Sequence, residues 1–428
     1  MKKNDAISPT FCLAKWYRTT LHLDRGISSS CHHCWLVKID KEQIKKDPSK
    51  LTNTDYIIKK RWEMLDGKRP DECDFCWRSE DIGNTSDRTF KSLSIAREES
   101  SRGLRDPYEE AVDNWSSVVP SELEISFNNT CNLKCSYCGP QYSSKWEEEI
   151  RQHGKYVNDL RYIDPNRISN REYNPYVEAF WKWWPDIKDK LAILKITGGE
   201  PLLCKDTYKV MDEIIKGSYS FKFYLNSNMS VDIEPMLARL EKHPNKFTNF
   251  VLYASIESGG AKSEYSRYGI DYDLFTSNIE KFLERTNHTL HFMTTVSLLC
   301  ITGYKDFLEY FIGLGEKYGY ERLEISPVIA RYPYDVQIAL LPDDIKKKVT
   351  EELTTLIETN RFSNFQKERH LDLIDQMNLN LDNKIVLRDS FVDFIYEYDR
   401  RRGTNFREVY PELSHLLKEW KTIDKPTI

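Results

Sequence analysis

Nowhere in the 428 residues do apolar side chains run on for the roughly 18 positions that a membrane-crossing helix needs. No membrane contact is therefore expected. The opening MKKNDAISPT has no apolar core of the kind a signal peptide carries, so a cytoplasmic location is expected. An excess of one charge is also missing. There are 67 acids against 62 bases, a net charge of −5. That balance supplies no global field to hold nucleic acid and argues against a nucleic-acid partner. GxSxG, Walker A and HExxH motifs are absent. No internal repeat or low-complexity tract occurs. With 40% hydrophobic and 30% charged residues, the composition is that of a folded globular chain. Its length allows two or three domains at about 150 residues each.

What is present is cysteine, unevenly placed. Cys12, Cys31, Cys34, Cys73 and Cys76 lie near the start. Cys131, Cys135 and Cys138 fall within one short loop, Cys204 and Cys300 stand alone, and none follows. In a cytoplasmic chain such cysteines suggest metal or redox chemistry rather than disulfides.

Residues 1–82 read as a first, small α+β cysteine-rich unit. FCLAKWYRTTLHLDRGISSSC suggests two short strands around Asp24-Arg25-Gly26. DYIIKKRWEMLDG suggests an amphipathic helix with Ile57, Trp62 and Leu65 near one face and Gly67 past its end. Residues 83–119 form a polar connector with some helical character. From Leu123 the pattern becomes apolar strands alternating with helical stretches. The strands are 123–127, 191–197, 221–227, 249–257, 290–300 and 322–330. Alternation of this kind predicts a parallel sheet of βα units, too few for an eight-fold barrel. The expected class is α/β: a partial (β/α)6 TIM-like barrel over 120–335, followed by C-terminal helices over 336–428.

The first barrel strand runs into NNTCNLKCSYCGP, giving Cys131-x3-Cys135-x2-Cys138. Three close thiolates can hold three irons of a 4Fe-4S cluster and leave the fourth open to chelate a small molecule. Structural zinc, by contrast, takes four ligands, usually as two separated pairs. The second strand ends in Gly198-Gly199-Glu200-Pro201.

These motifs, in this order on these strands, resemble the radical SAM enzymes. The resemblance implies a 4Fe-4S cluster on Cys131, Cys135 and Cys138, with Tyr137 at a commonly aromatic position. S-adenosylmethionine would chelate the open iron and be cleaved reductively to a 5′-deoxyadenosyl radical. It also implies cofactor contacts from Gly198, Gly199 and Glu200, and from Asn226 and Asn228 in the third strand's NSN segment. Ser255 and Glu257 would follow the fourth strand, and Arg267 would face the methionine carboxylate. Thr294, Thr295 and Ser297 are positional candidates for ribose, and backbone around Ile325–Val328 for adenine. Cys204 and Cys300 read as buried packing residues.

Cys12 is followed by 13 residues, Gly26, four residues and Cys31. That spacing, a helix, and then Cys73-x2-Cys76 resemble the Twitch and SPASM auxiliary-cluster domains of the same superfamily. The resemblance implies a second 4Fe-4S cluster on Cys12, Cys31, Cys73 and Cys76. The run Cys31-His32-His33-Cys34 leaves the choice between Cys31 and Cys34 open. Zinc on Cys31, Cys34, Cys73 and Cys76, or with His32 or His33, is the rival.

Trp181, Trp183 and Trp184 suggest a helix packed on the barrel rather than a base-stacking site. Arg400-Arg401-Arg402 beside acids reads as a solvated face. RRGTNFREVYPEL extends the resemblance toward the C-terminal end. The expected partners are a small electron donor protein such as flavodoxin or ferredoxin, and a peptide or a sugar or nucleotide derivative as substrate. The reading from another class is a non-catalytic, metal-stabilised binding protein with a zinc-ribbon-like start.

Overall fold

The computed structural model describes residues 6–156, 167–168 and 173–421. The chain divides into two compact units. One comprises Met1–Asn128 with Pro165–Leu225, the other Asn129–Asp164 with Asn226–Ile428.

In the first unit, β1 (Arg18–His22) and β2 (Ile27–Ser29) form the predicted antiparallel hairpin, with His22 opposite Ile27. A two-residue strand, Val37–Lys38, pairs with β2. On its other side β1 pairs in parallel with β3 (Glu122–Ser126), so the hairpin continues the sheet. β4 (Ile193–Thr197) and β5 (Lys222–Ser227) extend it in parallel. The alternation of each strand turns one face inward. Register then aligns Leu123, Leu194 and Phe223 in one buried row, and Ile125, Ile196 and Leu225 in the next. Each such side chain contributes about 1.5–3 kcal/mol by leaving water.

Helix Pro175–Ile187 starts at Asn174, whose side chain accepts from the backbone N–H groups of Tyr176 and Val177. It buries Phe180, Trp183 and Trp184, while Trp181 donates to Asp206 at 2.9 Å, so the tryptophans are packing residues. Helix Asp55–Leu65 forms as predicted, but its buried face is Ile57, Arg61 and Met64. Trp62 is 47% exposed. The reason is polar: Arg61 points inward because its guanidinium donates to the Lys15 carbonyl at 3.0 Å and to Asn53 Oδ1 at 2.7 Å. The connector holds helices Asp87–Ser101 and Pro107–Asp113.

In the second unit, β6 (Phe250–Ser255), β7 (Thr289–Val296) and β8 (Leu323–Ile329) are parallel. Their buried rows are Leu252, Leu290 and Leu323, then Ala254, Phe292 and Ile325. Helices Tyr272–Arg285 and Tyr304–Tyr318 alternate with these strands. Three further helices follow, Asp343–Ile357, Asn364–Met377 and Lys384–Arg402, within the helical stretch expected over 336–428, whose residues 422–428 lie outside the described ones. From β3 to β8 the order of elements is that of a partial (β/α)6 TIM-like barrel in the α/β class. Among the described residues no helix is long and apolar enough to cross a membrane.

The hairpin turn depends on Gly26. Its φ is +60°, and a Cβ there would fall 2.1 Å from the Tyr176 ring. Tyr176 is buried and its hydroxyl donates to the Ile39 carbonyl at 3.3 Å, so the ring is not free to swing aside. Gly26→Ala is expected to cost about 2–3 kcal/mol from left-handed strain and overpacking. A urea midpoint equal to the wild type's would contradict this.

Candidate cluster sites

The central cysteine loop lies in the second unit and is held from three sides. On one side is helix Ser144–His153. Ser143 caps it, accepting from Trp146 N–H at 3.2 Å while donating to the Leu133 carbonyl at 2.6 Å. Ser144 Oγ accepts from Cys131 N–H at 3.2 Å, and Trp146 Nε1 donates to the Cys135 carbonyl at 2.9 Å. On the second side Lys134–Cys135 pairs antiparallel with Arg267–Tyr268, and Ser136 N–H donates to the Ser266 carbonyl at 2.7 Å. On the third side, Asn132 accepts from Asn228 Nδ2 at 2.8 Å and donates to the Ser230 carbonyl at 2.9 Å. These bonds pair backbone groups of Cys131, Leu133, Cys135 and Ser136 with protein partners. Leu133 N–H points at Cys131 Sγ, 3.4 Å away.

Cys135 is buried, and burial pushes its thiol up while the Arg267 guanidinium pulls it down. Arg267 Nη1 lies 3.7 Å from that sulfur. Its other nitrogens donate to Glu257, Nε at 2.7 Å and Nη2 at 2.5 Å. Glu257 also accepts from the Tyr137 hydroxyl at 2.8 Å and from Thr295 N–H at 3.0 Å. The structure therefore joins four predicted site residues, buried Cys135, Glu257 and Arg267 and half-buried Tyr137, in one connected chain. It turns Arg267 toward the protein's own carboxylate and thiol.

Other predicted residues lie apart from that chain. Asn228 Oδ1 accepts from Ser230 N–H at 2.9 Å. Asn226 Nδ2 faces Met293 Sδ at 3.8 Å, and its Oδ1 is buried with no partner among the described residues. Ser255 ends β6 opposite Met293. Thr294 Oγ1 lies 3.4 Å from the Tyr304 hydroxyl. Ser297 N–H donates to Cys300 Sγ at 3.0 Å, which makes Cys300 a buried capping and packing group. Ile325 is buried, whereas Val328 is exposed.

Gly198, Gly199 and Glu200 follow β4 in the first unit. Gly198 has φ +123°, and a Cβ there would lie 2.5 Å from Ser126 Oγ and 2.9 Å from the Asn128 carbonyl. Close approach to the end of β3 is what requires glycine here. Glu200 is buried and caps its own turn, accepting from Leu202 N–H at 2.9 Å. Cys204 is buried and accepts from Asn128 Nδ2 at 3.0 Å.

All five N-terminal cysteines line one cavity in the first unit. Cys12 lies at the start of the buried segment that leads into β1. Cys31 and Cys34 follow β2, and Cys73 and Cys76 bracket the start of helix Asp74–Asp81. Both Cys31 and Cys34 face the cavity, as does Cys12, which a zinc ribbon would leave over. The Cys34 and Cys73 sulfurs are 3.9 Å apart. Two ammonium groups reach in: Lys15 Nζ is 3.3 Å from Cys34 Sγ, and Lys91 Nζ is 3.5 Å from Cys31 Sγ. Burial pulls Lys15 down, but Cys34, Cys73 and the paired Glu72 hold it well above the ordinary lysine value. Burial pushes the Cys12 thiol up. Five soft sulfur donors in one enclosed place suit zinc or an iron–sulfur cluster. His32 and His33 stand at the edge with Asp87. Lys91 already serves that carboxylate, 2.8 Å away, and His33 donates to it at 2.7 Å.

Lys15, Lys91 and Arg402 were not foreseen. A lysine inside the apolar run FCLAKWY was the available signal for the first. The reading of Arg400-Arg401-Arg402 as a solvated face is corrected. Arg402 is buried, with its guanidinium on Glu149 and on the Lys134 carbonyl. Glu149, 253 residues earlier in the chain, gave no sign of the pairing.

Similarity to known proteins was found in sequence and in chain trace. No family model matches. A GTP 3′,8-cyclase of Campylobacter lari is 28% identical over 120 residues, 28% of this chain and 30% of that protein. A probable GTP 3′,8-cyclase of Methanococcus aeolicus is 23% identical over 263 residues, 60% of this chain and 74% of that protein. The chain thus spans under a third of the first relative and about three quarters of the second. Among solved structures, Streptococcus suis SuiB bound to S-adenosylmethionine has a TM-score of 0.37 at 13% identity, covering 82% of this chain and 68% of that one. Histidine-tagged anSMEcpe with bound AdoMet has a TM-score of 0.35 at 15% identity, covering 55% and 59%.

The Glu149 carboxyl sets a pH test. Burial alone would raise it, but Arg402, Lys134 and Tyr156 hold it down to about 2. Its folded value lies below the unfolded value of about 4.3. Its stabilisation is therefore full above that pH and lost as pH falls toward 2. Glu149→Gln is expected to flatten the fall in urea midpoint across that window. An unchanged slope would count against the pairing.

Proposed function

We infer that this chain is a radical SAM superfamily enzyme that carries a 4Fe-4S cluster on Cys131, Cys135 and Cys138 and binds S-adenosylmethionine beside it. The observation that carries this is the cysteine loop itself. Cys131-x3-Cys135-x2-Cys138 follows β3, and protein groups bond the backbone at Cys131, Leu133, Cys135 and Ser136. The likeness to the two GTP 3′,8-cyclases supports the same reading.

The residues present fit the cofactors. Three thiols on one loop suit a cluster with one open iron. The buried Oδ1 of Asn226, without a partner among the described residues, offers an acceptor for an ammonium or hydroxyl donor. When bound, the cofactors supply one-electron cleavage of S-adenosylmethionine to methionine and a 5′-deoxyadenosyl radical that takes hydrogen from a substrate. The chain's own part is electrostatic and positional. Arg267 offsets the charge of the Cys135 thiolate, Glu257 fixes Arg267 and Tyr137, and Asn132 with Asn228 fixes the loop. Burial of this chain keeps water from the sulfur.

A second 4Fe-4S cluster is proposed for the N-terminal cavity, on Cys12, Cys31, Cys73 and Cys76. Support comes from five thiols around one space, with Lys15 and Lys91 beside them to offset thiolate charge. Zinc is the second reading there. It is favoured by the 3.9 Å Cys34–Cys73 separation, close to that of two thiolates on one tetrahedral ion. Reducing electrons would come from a flavodoxin- or ferredoxin-like donor. The substrate would be a peptide or a sugar or nucleotide derivative, and the relatives' names lend weight to the nucleotide.

Anaerobically reconstituted protein is expected to bind roughly eight irons, from two four-iron clusters. With dithionite it should release 5′-deoxyadenosine from S-adenosylmethionine. Cys135→Ala should abolish that release and keep about half the iron. Intact S-adenosylmethionine with both clusters full would overturn the enzyme reading. Stoichiometric zinc without acid-labile sulfide in Cys135→Ala protein would overturn the second cluster.

A further inference from the structure

Helix Lys384–Arg402 ends in three arginines that face different surroundings. Arg400 has a side chain 60% exposed and pairs with Glu397 on the surface. The Arg402 side chain is 0% exposed. We propose that Arg402 is a positioning residue for the central cysteine loop, through which the C-terminal extension fixes the loop and places a permanent charge behind Cys135. The proposal rests on the central-cluster reading above.

Both ends of Arg402 engage the loop's surroundings. Its Nη1 donates to the Lys134 carbonyl at 2.9 Å, the peptide that leads directly into Cys135. Its Nε and Nη2 form a fork on Glu149, at 3.1 and 3.2 Å. Glu149 also accepts from Lys134 Nζ at 2.6 Å and from the Tyr156 hydroxyl at 2.7 Å. The backbone carbonyl of Arg402 accepts from the Tyr268 hydroxyl at 3.2 Å, and Tyr268 lies opposite Lys134 in the short strand pair. The guanidinium lies 3.7 Å from the Tyr398 ring centroid and 4.5 Å from that of Trp146. Trp146 in turn bonds the Cys135 carbonyl. A planar, always-charged fork is the one side chain that can make all these contacts together.

The charge matters as much as the shape. Behind the loop, Arg402 and Lys134 share Glu149, while Arg267 pairs with Glu257 beside the Cys135 sulfur. One positive charge is left over. A net positive shell favours the more reduced and more negative state of any cluster bound there.

The test uses full-length protein, reconstituted anaerobically, as wild type, Arg402→Met, Arg402→Lys and the surface control Arg400→Met. Two quantities are read: iron release from the central site to a chelator, and the midpoint of the EPR signal that responds to added S-adenosylmethionine. Arg402→Met is expected to release central iron about 10- to 100-fold faster, as loss of a supporting partner does at metal sites. Its midpoint should move to lower potential, while release from the N-terminal site stays unchanged. Arg402→Lys keeps the charge and loses the fork, so its midpoint should stay near wild type while release is still accelerated. Arg400→Met should match wild type in both. Wild-type release and midpoint in folded Arg402→Met would overturn the proposal. Should that variant fail to fold, wild-type release in Arg402→Lys would overturn it equally. If Cys131→Ala binds as much iron as wild type, the central-cluster reading itself falls and the proposal with it, an outcome that the iron count alone identifies.

Discussion

A thiolate inside a protein needs a positive charge close by. Removing an ion from water costs several kcal/mol even after the surroundings relax, and sulfur is no exception. Each sulfur site here answers that cost in the same way. Cys135 has Arg267, Cys34 has Lys15, and Cys31 has Lys91. Each cation is held by a carboxylate of its own: Glu257, Glu72 and Asp87. The pattern is a chain of sulfur, cation and acid, and the secondary structure around it serves to bring those three together. Helix Asp55–Leu65 turns Arg61 inward to bond the carbonyl of Lys15. The strand pair at Arg267–Tyr268 aims a guanidinium at the central loop. Helix Asp87–Ser101 presents Asp87 and Lys91 four residues apart on one face.

Much of this fold was legible in the sequence because it is encoded locally. Alternating apolar residues such as Leu123 and Ile125 announced β3, and Phe223 and Leu225 announced β5, with the inward face already marked. Cys131, Cys135 and Cys138 could be read as a set because their spacing is short. The three C-terminal helices showed as periodic stretches of ordinary length.

What could not be read is long-range and polar. The pairing of Glu257 with Arg267 joins residues ten apart across the short helix Gly260–Ser266, and Tyr137 joins them from 120 residues away. Arg402 meets Glu149 across more than half the chain. A row of arginines beside acids has the composition of a wet surface, and only the surrounding Tyr398, Trp146 and Tyr268 rings make Arg402 a buried ion. Arg61 takes the inward place expected of Trp62 for the same reason. Hydrophobicity scales know nothing of the carbonyl that Arg61 satisfies.

The parallel pairing of β1 with β3 also escaped sequence reading, since strands this far apart leave no local mark of their contact. It makes the cysteine-bearing start of the chain the end of the sheet, with β1 paired on both sides. Trimming the chain ahead of β3 would strip one side of Glu122–Ser126 and leave a row of unanswered N–H and C=O groups. Such a bare edge recruits strands from other molecules. The N-terminal hairpin is therefore also the guard that keeps copies of this chain from stitching themselves together.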